Sequence, residues 1–215
     1  MTMRLTELAN LPPARLSVSF RRRSPGELGR WAFDRTLPKP SSVCDPSHPL
    51  LRHPNGDRIV ADFPSFTTPA FMMRAIPTGL LYKPPPSHLI SPNTLREDAD
   101  DPSVVHMPLA STVHKLLGVR FYQRDALRRL KTACALVVTR GADVINGTDD
   151  GPRLILDEER ARHRWVLAGW TYVCKISPEL HRMPYTELVP HVRAALEKMA
   201  RRGRNVERRW ASERL

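Results

Sequence analysis

Apolar residues recur at helical spacing through the second half of the chain, and that periodicity predicts its elements. From Gln123 to Arg140, the residues Ala126, Leu127, Leu130, Cys134, Val137 and Val138 fall on one helical face, and Gly141 supplies a stop. A last helix is read from Leu188, Val192, Ala195, Leu196 and Met199, with Pro190 in or just before its first turn and Gly203 as its cap. Between them, Asp157 to Ile176 reads as one more helix, opened by Glu158 and Glu159 at the positive end of its dipole. Its apolar positions (Ala161, Trp165, Val166, Leu167, Ala168, Trp170, Tyr172 and Val173) cover most of the circumference. Only Arg160, Arg164, Thr171 and Lys175 form a polar stripe. Such a helix is buried on most sides and belongs at the centre of its domain. A short helix over Ala110 to Leu117, closed by Gly118, and a turn or surface loop over Asn146 to Pro152 complete this half.

The first half obeys different rules. Seventeen of the 21 prolines lie between Pro12 and Pro108. Proline fixes φ and removes an amide donor, so this stretch is expected to be extended, with short helical pieces. Lys83-Pro84-Pro85-Pro86 and Phe63 to Pro69 are typical of it. One helix start is legible, Ser24-Pro25-Gly26-Glu27, with a cap, a first-turn proline and a capping-box glutamate. The stretch keeps Trp31, Phe33, Phe63, Phe66, Phe71, Met72, Met73, Ile76, Leu80, Leu81 and Tyr82. Apolar side chains on a backbone that builds no core of its own suit a segment laid over a partner. The expected fold class is therefore mainly α: a small C-terminal helical bundle over 110–203, preceded by a long proline-rich, largely extended arm over 1–109. Residues 204–215 are read as a basic tail.

Charge narrows the partners. The formal net charge is +12 and the isoelectric point is about 10.4. Six of the 34 basic residues are lysine, so arginine carries nearly all of the excess. Arginine forks onto phosphate and stacks on bases, so a polyanion is the expected partner, RNA first. Three basic groups are the candidate RNA contacts: Arg21, Arg22 and Arg23; then Arg124, Arg128 and Lys131, in a cluster that also holds Arg120 and Arg129; then Arg201, Arg202, Arg204, Arg208 and Arg209, with Trp210 beside them for base stacking.

The chemical inventory is thin. No phosphate-binding glycine loop or nucleophile elbow is present, and no nucleophile, base and orienting group assemble. Cys44, His48 and His53 lie within ten residues of one another but make three ligands where a structural zinc site takes four. Cys134 and Cys174 read as small buried hydrophobes, and His114, His163, His181 and His191 as isolated. Glu97, Asp98, Asp100 and Asp101 read as a solvated turn before Pro102. An odd number of widely spaced cysteines, three, points to a reducing compartment. No apolar run approaches the roughly 20 residues that span a bilayer.

Residues Met1 to Arg23 hold five arginines and a single acid, Glu7, with a short amphipathic stretch over Met3 to Leu11. That composition is typical of a mitochondrial targeting segment. A basic helical domain, an arm with apolar anchors and no assembled active site are together similar to the accessory proteins of mitochondrial ribosomes. The resemblance is one of general character and carries no residue roles. The expectation is a non-catalytic structural subunit of a large ribonucleoprotein, a mitochondrial ribosomal protein of the matrix, bridging rRNA phosphates and neighbouring subunits. It calls for no cofactor, metal, small-molecule substrate or transmembrane segment. The alternative is an accessory subunit of a respiratory complex or of the ATP synthase, with the same charge turned to acidic proteins or lipid head groups.

Overall fold

A computed structural model describes residues 11–20, 63–80, 101–113, 120–147, 151–161 and 163–213. The fold is mixed α/β, which corrects the mainly-α expectation. Its frame is a four-stranded sheet of β2 (Ser65–Thr67), β3 (Phe71–Pro77), β8 (Trp170–Ile176) and β5 (Leu109–Val113), in that spatial order. β2 and β3 form an antiparallel pair, β3 lies antiparallel to β8, and β5 lies parallel to β8. Two smaller pairs complete the described strands. β1 (Ser17–Ser19) runs parallel to β4 (Val104–His106), and β6 (Asp143–Gly147) forms a hairpin with β7 (Gly151–Ile155).

Among the described residues there are three α-helices: α1 (Arg120–Arg140), the single turn α2 (Glu179–Arg182) and the 29-residue α3 (Tyr185–Glu213). α1 and α3 pack on each other and on the sheet. Strand register puts Phe71, Met73 and Ala75 of β3 on one face with Tyr172, Cys174 and Ile176 of β8, Leu109 of β5 and Phe66 of β2. That face meets the helices: the ammonium of Lys198 in α3 sits 5.0 Å over the Phe66 ring. Leu188, Leu196 and Met199 of α3 are fully buried, each contributing about 1.5–3 kcal/mol by leaving water.

The centre of the domain is where the sequence places it, but as a strand. Trp170 to Ile176 forms β8, buried on both faces, and the predicted long helix is reduced to two 3-10 turns, Glu158–Arg160 and His163–Trp165. Asp157 caps the first turn as an N-cap should, its carboxylate accepting from the Glu159 amide at 3.2 Å. Gly169, at φ +73, then turns the chain into β8 and offers its carbonyl to the Thr78 amide at 2.8 Å. An unbroken apolar run rich in aromatic and β-branched residues is also the signature of a central strand, and pairing on both edges decides for the strand.

The first hundred residues are likewise not only an arm. β3 is a core strand, with Phe71, Met73, Ala75 and Ile76 fully buried. Its prolines do not prevent this, because Pro69 precedes the strand and Pro77 ends it. The helix expected over Ala110 to Leu117 is instead β5, at least as far as Val113. Gly141, at φ +57, ends α1 as expected, its amide returning to the Val137 carbonyl at 3.1 Å. Gly203 does not end α3. The helix runs through it to Glu213, and Gly203 is buried against the Leu167 side chain, which occupies the space a Cβ would need. Residues 204–213 are therefore helix rather than tail, and α3 begins a turn before Pro190. The Ser24 capping box, the Met3–Leu11 stretch and Lys83 to Pro86 lie outside the described residues.

Candidate nucleic-acid interface

β1 is too short to stand alone, and its pairing with β4 fixes the position of Phe20, the next residue along the chain. The Met107 amide donates to the Ser19 carbonyl at 2.9 Å and the Leu109 amide to the Phe20 carbonyl at 3.3 Å. Phe20 is thereby held beside α1, where it lines an open groove of about 360 Å³ with Arg124, Leu127, Arg128, Lys131, Thr132 and Ala135. Arg124, Arg128, Lys131 and Ala135 are spaced i, i+4, i+7 and i+11, one stripe along the helix. Phe20 and Leu127 supply an apolar floor, and the Lys131 ammonium lies 5.7 Å over the Phe20 ring. Arg124 is exposed and the Arg128 side chain 70% exposed, so both guanidinium groups reach solvent.

One acid tempers this charge. Asp125 accepts from Arg128 at 2.8 Å and, through its other oxygen, meets His181 Nδ1 at 3.0 Å. His181, expected to be isolated, thus has a carboxylate partner, and the Tyr122 ring stands edge-on to it at 4.9 Å. Next along α1, Arg129 faces inward: its guanidinium donates to the Met183 carbonyl and lies 4.9 Å over the Tyr185 ring. Arg129 ties α1 to the start of α3, which removes it from the basic cluster in which its sequence position placed it.

No protein-family model, no curated protein and no solved structure matches this chain.

The third basic group occupies the far part of α3. Arg201, Arg202, Arg204, Arg208 and Arg209 are all exposed and spread over about 160° of the helix at 100° per residue. Arg204 donates to the Arg164 carbonyl, bringing that arginine to the same end, and Arg208 donates to Asn205 at 2.5 Å. Trp210 points inward. It stacks on Trp170 at 6.4 Å and 6° and meets the Phe63 ring edge-on at 6.2 Å, while the Trp170 indole donates to Glu207 at 2.7 Å. This aromatic triad fastens the end of α3 to the sheet, so one face of Trp210 is already covered by protein.

The structure therefore brings Arg124, Arg128 and Lys131 together, keeps the five α3 arginines together, and separates the two sets. Arg21, Arg22 and Arg23 come directly after Phe20 in the sequence and lie outside the described residues, as do Cys44, His48, His53 and the acids from Glu97 to Asp100. Phe20 itself was missed, because its partnership with α1 spans more than a hundred residues. An aromatic residue just ahead of an arginine run was the available signal. Cys134 and Cys174 are buried as expected, Cys174 from a strand rather than a helix, and burial pushes the Cys134 thiol up to about 12 and the Cys174 thiol up as well. Among the described residues, no helix is long and apolar enough to cross a membrane.

Proposed function

We propose that this protein is a non-catalytic structural subunit of a large ribonucleoprotein, a mitochondrial ribosomal protein of the matrix that bridges rRNA and neighbouring subunits. The groove beside Phe20 carries the proposal. Its three cations suit phosphate oxygens, while its apolar floor suits the face of a base. A purely solvated basic face would need no such floor. The net charge of +12, held mostly on arginine, supports the same partner. The arginine-rich, acid-poor start of the sequence supports the compartment. Two buried thiols with raised pKa values supply no thiolate at neutral pH, in keeping with a structural role.

Gradient sedimentation of the tagged protein from a mitochondrial lysate, with and without ribonuclease, tests this reading. Migration with a ribosomal subunit that collapses on RNA digestion is the expected result. A ribonuclease-insensitive peak in the membrane fraction would overturn it in favour of a respiratory-complex or ATP-synthase subunit.

A further inference from the structure

The two basic surfaces sit at different stations along one rigid element. The first half of α1 lies against α2, through Asp125 and His181 at 3.0 Å, and against the start of α3, through Arg129 over the Tyr185 ring at 4.9 Å. Just past the end of α1, the Ala142 carbonyl accepts from the Arg193 guanidinium of α3 at 3.1 Å. The Phe20 groove therefore lies beside the beginning of α3, whereas its arginine face starts at Arg201 and extends to Arg209. At 1.5 Å of rise per residue, that face lies about 24–36 Å beyond Tyr185 along the helix.

The surface between them does not join them. Arg193 is drawn to Asp143 at 3.3 Å as well as to the end of α1, and Arg140 to Glu158 at 3.3 Å. Lys198 lies over Phe66, and the exposed acids Glu187 and Glu197 fall on the intervening stretch of α3. The spacing is also fixed. α3 is anchored near its start by Arg129 on Tyr185 and near its end by Trp210 on Trp170, and it is continuous through Gly203.

We infer that the protein holds two separate RNA segments at once, one in the Phe20 groove and one on the arginine face of α3, and so staples together parts of one RNA fold. This rests on the RNA-binding reading above and adds a stoichiometry to it. A stacked strand rises about 3.4 Å per nucleotide along its axis, so a stacked hexanucleotide is about 17 Å long and fills one surface without reaching the other.

Calorimetric titration of the full chain with a single-stranded RNA hexanucleotide at low salt tests the inference. Two equivalents should bind to the unaltered protein. R124Q/R128Q/K131Q should bind one equivalent and R201Q/R204Q/R208Q also one. Combining all six substitutions should abolish binding. Donor- and acceptor-labelled hexanucleotides should show energy transfer on the unaltered protein and on neither triple variant. Each triple variant retains the other surface, so its remaining equivalent reports that it is folded. A single equivalent, lost in both triple variants, would overturn the two-segment inference and leave RNA binding standing. No binding to the unaltered protein would overturn both.

Discussion

The groove beside Phe20 and the outer face of α3 carry similar charge on different supports. In the groove, Arg124, Arg128 and Lys131 surround an apolar floor and share their neighbourhood with Asp125. On α3, five arginines project from a convex helix with no floor between them, and every aromatic ring near them is turned inward. The difference teaches that counting arginines does not predict a mode of contact. A concave site with an aromatic ring positions a base as well as a phosphate, whereas a convex basic face meets the backbone alone.

The comparison is broken most completely by removing what holds α3 in place. Trp170 is 2% exposed, touches both Phe63 and Trp210 and donates to Glu207. Trp170→Ala should cost about 3–5 kcal/mol in chemical denaturation and weaken RNA binding by R124Q/R128Q/K131Q, in which only the α3 face remains. A loss below about 1 kcal/mol would show that the triad is not the anchor. Next in size is Phe20→Ala. It should lower RNA affinity at the groove by about 1–3 kcal/mol through lost stacking, leaving the salt dependence of binding unchanged in filter-binding assays. An equal loss on the α3 face would erase the distinction between the surfaces.

A smaller effect concerns the support of the groove. Cys134 holds α1 in the core, and its thiol is pushed from 9.0 to about 12. Because the folded-state value is raised, the contribution is fully present below pH 9 and is lost as pH rises through about 12. By pH 10 the loss should be on the order of 1 kcal/mol, seen as a falling denaturation midpoint that flattens in Cys134→Ala. Cys174 adds a loss of the same sign. Smallest is Asp125→Asn. Removing the carboxylate beside Arg128 should tighten RNA binding in the groove by about 0.5–1 kcal/mol and leave the α3 face unchanged. Weaker binding would mean that Asp125 chiefly positions Arg128.

The helices were the legible part of this sequence, because α1 and α3 each bury one stripe and expose the other. β8 was not, because a run buried on both faces has no period to read. Its apolar character located the core correctly, and only its partners β3 and β5 decided between helix and strand. β3 was obscured by the prolines around it, although Pro69 and Pro77 sit where a strand tolerates them. Gly203 looked like a stop and proved to be a close contact with Leu167, a distinction that tertiary packing alone makes. Of the candidate interface, the spacing of Arg124, Arg128 and Lys131 was visible along one helix. Phe20 was not, since it reaches the site only through the β1–β4 pairing. The inward turn of Trp210 depends on a ring 40 residues earlier in the chain.

The strand order also sets a timetable for synthesis. β3 pairs along its whole length with β8, Phe71 opposite Ile176, about a hundred residues apart. A chain made at about 5–20 residues per second exposes β3 for about 5–20 s before β8 exists to cover it. During that interval an apolar strand edge is free to find the wrong partner. Anything that holds extended apolar segments over that interval would favour the native pairing.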